Sequence, residues 1–434
     1  MKTDFGVNVA GYINTESGLG ESVRSTVRAL KAAQIPFVLN NCDFNREQRK
    51  LDSSFTNFTD KNPFPVNLVQ INGDRINHFL ESFGTSYFKD KYNIGYWAWE
   101  VLDFPSEWLS ALNYFDEIWT PSNFCVEAIA PVAKIPVIKM PHAVDLPAPQ
   151  ATRQTLDLPA DKFIFLFIFD FLSLPERKNP QAIIEAFDLV FGKQNTDVLL
   201  VIKSSNGKLL PREFAALKSQ TQNFSNIKLI NDYLLKDELN ALISGCDCYV
   251  SLHRSEGFGL TLAEAMFYGK PVIATGYSAN TDFANVGNSF PVAYNLETLS
   301  ENFNYYKKGN FWAKPNVEHA AELMREVFEN REKARKIGAQ AALDIRRWLS
   351  PAVVGEKMRR RLERIKYLKN DFVELAEADT VKKKFDSMRV QNERQDEEIR
   401  LLRNKIRNMK DSRFWKIRNE WFKFKRFIKV TNDE

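Results

Sequence analysis

The stretch that decides the fold is residues 251–275, SLHRSEGFGLTLAEAMFYGKPVIAT. An apolar run ends at its start, a glycine-rich loop follows, residues 260–268 have an apolar helical face, and PVIAT has the pattern of a strand. Strand, loop, helix and strand in this order favour a parallel sheet covered by helices. Glu256 lies in the loop and Glu264 in the helix, at the edge where such sheets bind ligands.

The same alternation of apolar runs and helical patterns occurs in two series along the chain, which predicts two α/β domains facing a cleft. The first series is FGVNVAGYI, IPFVLN, VNLVQIN, YNIGYWAW, EIWTPS and IPVIKM, and the second is FIFLFIFDF, DVLLVIK, IKLIND, CDCYVSL and PVIAT. A polar, proline-containing stretch, PHAVDLPAPQATRQTLDLPADK, separates them. We predict domains at residues 1–146 and 147–345, closing helices at 346–370 and a tail at 371–434.

The composition is that of a globular protein, because 44% of the 434 residues are hydrophobic and only 18 are glycine. The longest apolar run, FIFLFIFDFL, contains Asp170 and is shorter than the roughly 20 residues of a membrane-spanning helix. The N-terminus lacks the pattern of a signal peptide, so we expect a cytoplasmic protein. The four cysteines lack the spacing of a zinc site, and we expect reduced thiols and no metal.

The tail has a heptad pattern of alternating three- and four-residue spacings. Its positions are Ala378, Val381, Phe385, Met388, Asn392, Gln395, Ile399, Leu402, Ile406 and Met409. The pattern favours a self-associating coiled coil, and hence a homo-oligomer, over a solitary charged helix.

Residues 412–430 combine aromatic and basic side chains. Six aromatic residues stand among seven Lys or Arg and one Glu, the cations being Arg413, Lys416, Arg418, Lys423, Lys425, Arg426 and Lys429. Such a segment suits an anionic membrane surface, so we expect peripheral association at the inner membrane face. The alternatives are a helix that packs back on the protein and, less favoured, a nucleic-acid contact, since the chain contains no nucleic-acid-binding module.

Gly18 and Gly20 follow the first predicted strand and open a helix, where backbone N–H groups attract an anion. A turn that needs glycine for structural reasons is the alternative. A dinucleotide fingerprint is not supported, because Val23 occupies its third glycine position.

Three cations stand at strand ends of the second domain. Arg177 and Lys178 follow its first strand, and Lys203 ends its second. Cations at these positions can neutralise a diphosphate, whereas the alternative is ordinary surface charge.

Gly257 and Gly259 leave the backbone between Glu256 and Glu264 accessible to a phosphate, and each carboxylate can accept ligand hydroxyl groups. Helix capping is the alternative for Glu256. The two glutamates are therefore candidates for holding one polar ligand.

The residue 251–275 segment resembles the donor-binding signature of retaining glycosyltransferases of family four, with its two glutamates separated by seven residues. RKNP, residues 177–180, is similar to the phosphate-binding loop of that family, and SGLG, residues 17–20, stands where its N-terminal glycine loop would be. The resemblance covers roughly residues 5 to 368. It implies a GT-B fold of two Rossmann-like domains, with the donor held by the second and the acceptor by the first.

The resemblance also implies roles for individual residues. Glu256 would hold the donor sugar, Glu264 the ribose, and Lys178 with Arg177 would stabilise the leaving diphosphate. The remaining donor-binding candidates, which would complete the phosphate cradle, are Gly18, Gly20 and the amides of Phe258, Gly259 and Leu260.

The sequence departs from the family pattern in two places. The Gly-Arg pair expected after the first strand of the second domain is replaced by IFDFLS, so Lys203 becomes the substitute cation. The histidine expected beside the donor sugar is also missing, and Trp99 and Glu100 are the acceptor-side candidates. We expect His142 and His253 to have structural roles.

The resemblance therefore implies a retaining, metal-independent hexosyltransferase without a cofactor, using a UDP- or GDP-sugar. A glycan or lipid-linked glycan acceptor would place it in bacterial surface polysaccharide synthesis, including lipopolysaccharide. The alternatives are an inactive sugar-nucleotide-binding coiled-coil scaffold and another GT-B enzyme, such as a sugar-nucleotide epimerase.

Overall fold

Two six-stranded sheets, taken from successive halves of the chain, form the frame of the fold. The first consists of β1 (Val7–Gly11), β2 (Phe37–Asn41), β3 (Val66–Gln70), β4 (Tyr92–Tyr96), β5 (Glu117–Thr120) and β6 (Val137–Lys139). The second consists of β7 (Phe163–Asp170), β8 (Val198–Ser205), β9 (Ile227–Asn231), β10 (Cys248–Ser251), β11 (Val272–Thr275) and β12 (Phe290–Val292). The neighbouring strands pair in parallel.

The computed structural model describes residues 5–44, 48–376, 389–391 and 394–404. In the helix that ends at Ala376, it describes side chains only as far as residue 367. Residues Met1–Leu362 form one unit and Glu363–Glu434 a second.

Helices connect the strands and cover the faces of the sheets. They are α1 (Gly18–Ala32), α2 (Ile76–Phe83), α3 (Asn123–Ile129), α4 (Pro175–Lys178), α5 (Pro180–Phe191), α6 (Pro211–Thr221), α7 (Lys236–Gly245), α8 (Leu260–Phe267), α9 (Val317–Glu329), α10 (Arg331–Leu349) and α11 (Pro351–Ala376). Short 3₁₀ helices occur at Gly73–Arg75, Thr85–Phe88, Ser106–Tyr114, Phe171–Ser173 and Ala279–Asp282. The predicted α/β class is confirmed.

Each sheet has a point where the strand order reverses direction. The first sheet has the order β2-β1-β3-β4-β5-β6, with the reversal between β1 and β3, and the second has the order β12-β11-β10-β7-β8-β9, with the reversal between β10 and β7. Ligands of parallel sheets bind beyond the carboxyl ends of strands at such points. The connection after β7 carries Arg177 and Lys178 in the short helix α4, and the loop after β10 carries Glu256, so the topology brings these residues together.

Strand β7 shows why the long apolar run predicts its position. Phe163, Phe165, Phe167 and Phe169 pack on one side of the sheet with α5 and α9, whereas Ile164, Leu166 and Ile168 pack on the other side with α8 and α10. A parallel strand covered by helices on both faces has no polar alternation.

An antiparallel hairpin, β13 (Tyr294–Thr298) and β14 (Phe311–Pro315), follows the second sheet and is absent from the sequence-based prediction. The side chains of β13 are largely exposed, so its sequence lacks a buried apolar face. Its connecting residues 299–310 reach the first domain, where Asn310 Oδ1 accepts a hydrogen bond from the Asp103 amide at 3.2 Å.

Helix α11 connects the second domain back to the first. A Cβ atom on Gly355 would lie 2.3 Å from the Ala29 carbonyl oxygen, so the helix packs against α1 where only glycine fits. Further along, the Arg361 guanidinium donates hydrogen bonds to both carboxylate oxygens of buried Glu117.

The tail predictions fall mostly outside the described residues. Of the heptad positions, Gln395, Ile399 and Leu402 are described, and there the chain is helical with exposed side chains. The other heptad positions and the basic aromatic segment lie outside the described residues, so self-association and membrane binding stay predictions. Over the described part of the chain, no helix is both long enough and apolar enough to cross a membrane.

Candidate active site

A cavity of about 920 Å³ lies between the two domains, at the carboxyl ends of both sheets. Most of the predicted site residues line it: Gly18, Trp99, Glu100, Arg177, Lys178, Lys203, Glu256, Phe258, Gly259, Leu260 and Glu264. Gly20 is not among the lining residues. The cavity thus brings together candidates that are far apart in sequence.

Glu256 forms the centre of the charged cluster. The Lys178 ammonium donates a hydrogen bond to Glu256 Oε1 at 2.5 Å, and Arg177 Nη1 lies 3.4 Å from Glu256 Oε2. The backbone amide of Glu256 donates to Ser278 Oγ at 2.8 Å, which fixes the loop. Glu256 does not cap α8, whose start has no side-chain cap.

The protonation of this cluster follows from burial and charge together. Burial alone would raise the pKa of Glu256, but Lys178 and Arg177 outweigh it and lower the pKa to about 2. Burial lowers the pKa of Lys178, and the charge of Glu256 opposes that effect. Glu256 is therefore an anion over the physiological range and is held by two cations.

Arg177 and Lys178 differ in how they face the cavity. The Arg177 side chain is 4% exposed, and its Nη1 and Nη2 atoms donate to the carbonyls of Ser255 and Ser173 at 2.8 and 3.0 Å. The Lys178 side chain is 18% exposed, with Glu256 as its hydrogen-bond partner. Arg177 thus holds two loops in place, whereas Lys178 is the more accessible of the two cations.

Glu264, in the middle of α8, belongs to a second charged cluster. Lys236 Nζ lies 3.9 Å from Glu264 Oε1 and 3.4 Å from Oε2 of Glu21, which belongs to the first domain. Burial raises the pKa of Glu264, although Lys236 opposes the shift. Lys236 therefore links a predicted donor-binding carboxylate to the opposite domain.

The start of α8 suits an anion better than the start of α1. Gly259 has a φ of +90°, a conformation that glycine adopts without strain, and no side chain caps the helix it precedes. The early amides of α8 lack intrahelical partners, and the positive end of the helix adds to their effect. The Phe258 ring packs away from solvent, edge-on to His142 and against Phe283.

The two N-terminal glycines have different surroundings. The Gly20 amide donates to the Ser17 hydroxyl at 3.2 Å, which caps α1, and a Cβ on Gly20 would lie 2.0 Å from the Thr15 carbonyl oxygen. Gly18 lines the cavity, and a Cβ there would have nothing within 4 Å. Gly20 is thus required by packing, while Gly18 keeps its predicted place at the cavity.

Lys203 is buried at the carboxyl end of β8 and also lines the cavity. Burial lowers the pKa of its ammonium, and the carboxylates of Asp170, Asp232 and Glu16 oppose that effect. Asp170 also accepts hydrogen bonds from Asn206 at 2.8 and 3.0 Å. Lys203 therefore stands in a polar network on the strand edge next to the charged centre.

Glu100 lies opposite the second domain and is held by the hairpin connection. The Tyr306 hydroxyl donates to Glu100 Oε2 at 2.8 Å, and the Tyr306 ring stacks on Trp99 at 5.1 Å between centroids. Glu100 Oε1 is 3.8 Å from Arg177 Nη2, and the Ser255 hydroxyl donates to the Glu100 carbonyl. Glu100 thus joins the charged centre from the first domain, whereas Trp99 is buried in the cavity wall.

The two histidines considered in the sequence are both buried. The Tyr96 hydroxyl donates to the Met140 carbonyl at 2.6 Å and lies 3.0 Å from His142 Nδ1, at the cavity wall. Burial lowers the pKa of His142 to about 3, so the ring is neutral. His253 lies 3.0 Å from both Ser251 Oγ and Asn280 Oδ1, partners that orient its ring within the loop.

Sequence reasoning missed Lys236, Glu21 and Tyr306. Each comes from an element whose position at the cavity depends on the packing of the two domains. A sequence signal existed for the hairpin connection, because FNYYKKGN, residues 303–310, places three aromatic rings before a glycine turn. Within the described residues, no group of three or more His, Cys, Asp or Glu side chains is placed to hold a metal.

Part of the chain also matches a known protein family. Residues 150–344, which contain Arg177, Lys178, Lys203, Glu256 and Glu264, match the family described as glycosyl transferases group 1. None of the curated proteins matches the chain by sequence.

Solved structures share the whole two-domain arrangement. Alr3699/HepE of Anabaena, crystallised with UDP and glucose, is 13% identical with a TM-score of 0.60, covering 83% of this chain and 99% of its own. Sucrose-phosphate synthase of Thermosynechococcus elongatus is 13% identical with a TM-score of 0.60, and the match covers 84% of this chain and 100% of the synthase chain. A glycosyltransferase of Rickettsia africae is 15% identical with a TM-score of 0.59, and the match covers 83% of this chain and 99% of the Rickettsia chain.

These similarities are too low in identity to show more than the fold, and the family match covers the second domain. The solved structures confirm the predicted GT-B fold class. Over residues 150–344 the chain matches group 1 glycosyl transferases, the solved structures show that it has the GT-B fold, and the family match supports glycosyl transfer as its activity.

Proposed function

We propose that the protein is a retaining glycosyltransferase that moves a hexose from a nucleotide-diphosphate sugar to a glycan or a lipid-linked glycan. The observation that carries the proposal is the meeting of Lys178, Arg177 and Glu256 in one interdomain cavity, with Glu264 on the same wall. A cavity of about 920 Å³ has room for a nucleotide sugar. HepE, whose fold is shared, was crystallised with UDP and glucose, which supports UDP as the donor nucleotide.

In this proposal, the bond between the anomeric carbon and the diphosphate oxygen breaks, and its electron pair leaves with the diphosphate. The acceptor oxygen then forms its bond on the same face of the sugar, and its hydroxyl proton passes to the departing diphosphate oxygen. Lys178 turns from Glu256 to the departing diphosphate, while Arg177 fixes the loops of Ser173 and Ser255 and supplies a second positive charge. Arg177 is in place before the reaction and stabilises developing charge at little reorganisation cost, and together with Lys178 it takes a role that a metal has elsewhere.

The carboxylates hold the sugar nucleotide. Glu256, released by Lys178, accepts hydrogen bonds from the sugar hydroxyls, and Glu264 accepts them from the ribose. The uncapped amides at Phe258, Gly259 and Leu260 face the diphosphate, with Gly18 across the cavity and Lys203 at the strand edge. Glu100 and Trp99 form the acceptor side, and no resident cofactor is needed.

We place the reaction in bacterial surface polysaccharide synthesis at the inner face of the membrane. The basic aromatic segment at residues 412–430 supports this part of the proposal, because such segments bind anionic lipid. The heptad pattern before it supports a homo-oligomer. A chain ending at residue 411 should bind anionic vesicles much more weakly than the full chain and keep donor binding. Equal vesicle binding by the two chains would remove the anchor.

Slow hydrolysis of the donor tests the chemistry without a known acceptor. Proton NMR of UDP-glucose and GDP-linked hexoses incubated with the protein should show a released sugar whose anomeric configuration matches that of the donor at early times. Lys178→Ala should lower the rate by about a hundredfold or more. Lys193→Ala, at a side chain that is 50% exposed just after α5, is the control and should leave the rate unchanged. Release of the opposite anomer would rule out retention.

A further inference from the structure

A second cavity, of about 310 Å³, opens at the junction of α10 and α11 and shares Phe258 with the active-site cavity. Its walls combine apolar and charged side chains: Pro121, Pro141, Phe258, Phe283, Trp348, Leu349 and Val353 with Lys139, Arg347, Lys357 and Asp282. Apart from Phe258, none of these residues has a role in the proposed transfer reaction.

The charges in this cavity are unbalanced. Lys139 lies 2.8 Å from Asp282, which is the one acid among the described lining residues. That carboxylate also accepts a hydrogen bond from the Asn123 amide at 2.9 Å. Partial burial and the charge of Lys139 both lower the pKa of Lys357. Arg347 and Lys357 thus add positive charge that Asp282, already shared by two partners, does not neutralise.

The cations stand beside an apolar surface. Phe258, Phe283 and Leu349 are almost fully buried at the cavity, whereas Trp348 is 36% exposed. Val353 belongs to the first turn of the long helix α11, whose positive end adds to the attraction for an anion. An inorganic anion makes no use of an apolar wall, but an anion with a hydrocarbon chain uses both kinds of surface.

We propose that this cavity binds an anionic lipid by its phosphate, with Arg347, Lys357 and Lys139 around the phosphate and the start of the acyl or prenyl chain on Phe283 and Trp348. The site is separate from the donor cavity, and the proposal does not depend on glycosyl transfer. It is also separate from the basic aromatic segment at residues 412–430, which the sequence assigns to the membrane surface.

Dodecyl phosphate, kept below its micellar concentration, is the probe. Tryptophan fluorescence should change saturably on titration, and the change should be lost in Trp348→Phe, which assigns the signal to this cavity. Inorganic phosphate and dodecyl maltoside should each bind much more weakly, because each offers only one of the two interactions. Equally tight binding of inorganic phosphate would make the site a phosphate site and overturn the lipid proposal.

Paired variants test the cations. Arg347→Ala with Lys357→Ala should weaken dodecyl phosphate binding by about thirtyfold. The control, Lys336→Ala with Arg360→Ala, removes the same charge from the same two helices, at exposed residues that do not line the cavity, and should leave the affinity unchanged. Unfolding midpoints of both pairs show whether each is folded. An equal loss of affinity in both pairs, or no loss in either, would overturn the proposal.

Discussion

Gly18 and Gly20 belong to one sequence pattern but have different roles: packing requires Gly20, and Gly18 remains a candidate for the site. Gly20 is enclosed by the Thr15 carbonyl, while Gly18 has open space beside it. The pattern alone left an anion site and a structural turn as alternatives. The structure gives packing as the reason for Gly20 and leaves the anion site as a prediction at Gly18.

The first prediction contrasts these two positions. Gly20→Ala should lower the free energy of unfolding by about 1–3 kcal/mol, because a methyl group would overlap the Thr15 carbonyl. Gly18→Ala should change it by less than about 0.5 kcal/mol. Urea unfolding of the two variants and the wild type is the measurement. Equal losses of unfolding free energy in the two variants would contradict the assigned difference in packing.

The second prediction concerns the ionisation of Glu256. Its pKa is 4.5 without the fold and about 2 within it, so its stabilising effect is complete above about pH 4.5 and disappears as the pH falls through about 2. Between about pH 6 and about pH 3, the wild type should lose about 2 kcal/mol more unfolding free energy than Glu256→Gln does.

Glu332→Gln, which removes a carboxylate that is 85% exposed, is the control for this comparison and should follow the wild type. Unfolding free energies measured by urea at several pH values give the result. Parallel curves for the wild type and Glu256→Gln would contradict the assigned pairing with Lys178 and Arg177.

At the scale of elements, the connection between β13 and β14 holds Glu100, an acceptor-side candidate, at the charged centre. Its Tyr306 hydroxyl holds Glu100, which faces Arg177 across the domain boundary. The adjacent Tyr305 ring packs edge-on to Trp108 at 5.5 Å. The hairpin connection thus positions an acceptor-side candidate.

Tyr306→Phe should lower turnover by about tenfold or more, because hydrogen bonds to charged groups contribute roughly 1.5–3 kcal/mol. Donor affinity and the unfolding midpoint should stay close to those of the wild type. Tyr305→Phe, which keeps the ring contact with Trp108 and the Glu100 hydrogen bond, is the control. A fall in donor affinity equal to the fall in turnover would show that Tyr306 acts on the donor instead.

Strand positions in both sheets could be predicted because strands buried on both faces, such as β7, form unbroken apolar runs. Helix α8, predicted at residues 260–268 and observed at Leu260–Phe267, could be predicted from its apolar helical face. Strands β12, β13 and β14 were missed, because a proline interrupts the apolar pattern of β12 and because β13, the partner of β14, is mostly exposed. Short or exposed strands form through pairing with a neighbour, which local sequence does not encode.

At the scale of the whole molecule, α11 joins the two domains through a buried ion pair. Glu117 is fully buried on β5, where Tyr92 and the Trp119 indole also donate hydrogen bonds to it. Arg361 supplies its opposite charge from the other domain's last helix. Removing one partner of a buried pair leaves an uncompensated charge.

Arg361→Ala should therefore destabilise the protein by about 3–5 kcal/mol. Arg360→Ala, one residue earlier and 77% exposed, should cost less than about 1 kcal/mol. Chemical unfolding of both variants is the measurement. A small loss for Arg361→Ala would mean that this pair does not connect the domains.

The site illustrates which parts of a fold a sequence determines locally. Lys178 and Glu256 could be predicted because each follows a strand whose carboxyl end must face the cleft. Lys236 and Tyr306 could not, because the distances from Lys236 to Glu21 and from Tyr306 to Glu100 depend on how two separately folded sheets pack together. Site residues that follow strands of one sheet can be predicted from the sequence, whereas contacts made across the domain boundary are known only from the structure.

The most direct test of the account is binding of nucleotide sugars to the interdomain cavity. Thermal unfolding of the wild type, Lys178→Ala and Lys193→Ala should be followed with UDP-glucose, GDP-mannose and ADP-glucose at saturating concentration. We expect UDP- or GDP-sugar to raise the midpoint of the wild type and Lys193→Ala, since a ligand of the folded state stabilises it, and to raise that of Lys178→Ala much less. No shift with any of the three, or equal shifts in all proteins, would contradict the account.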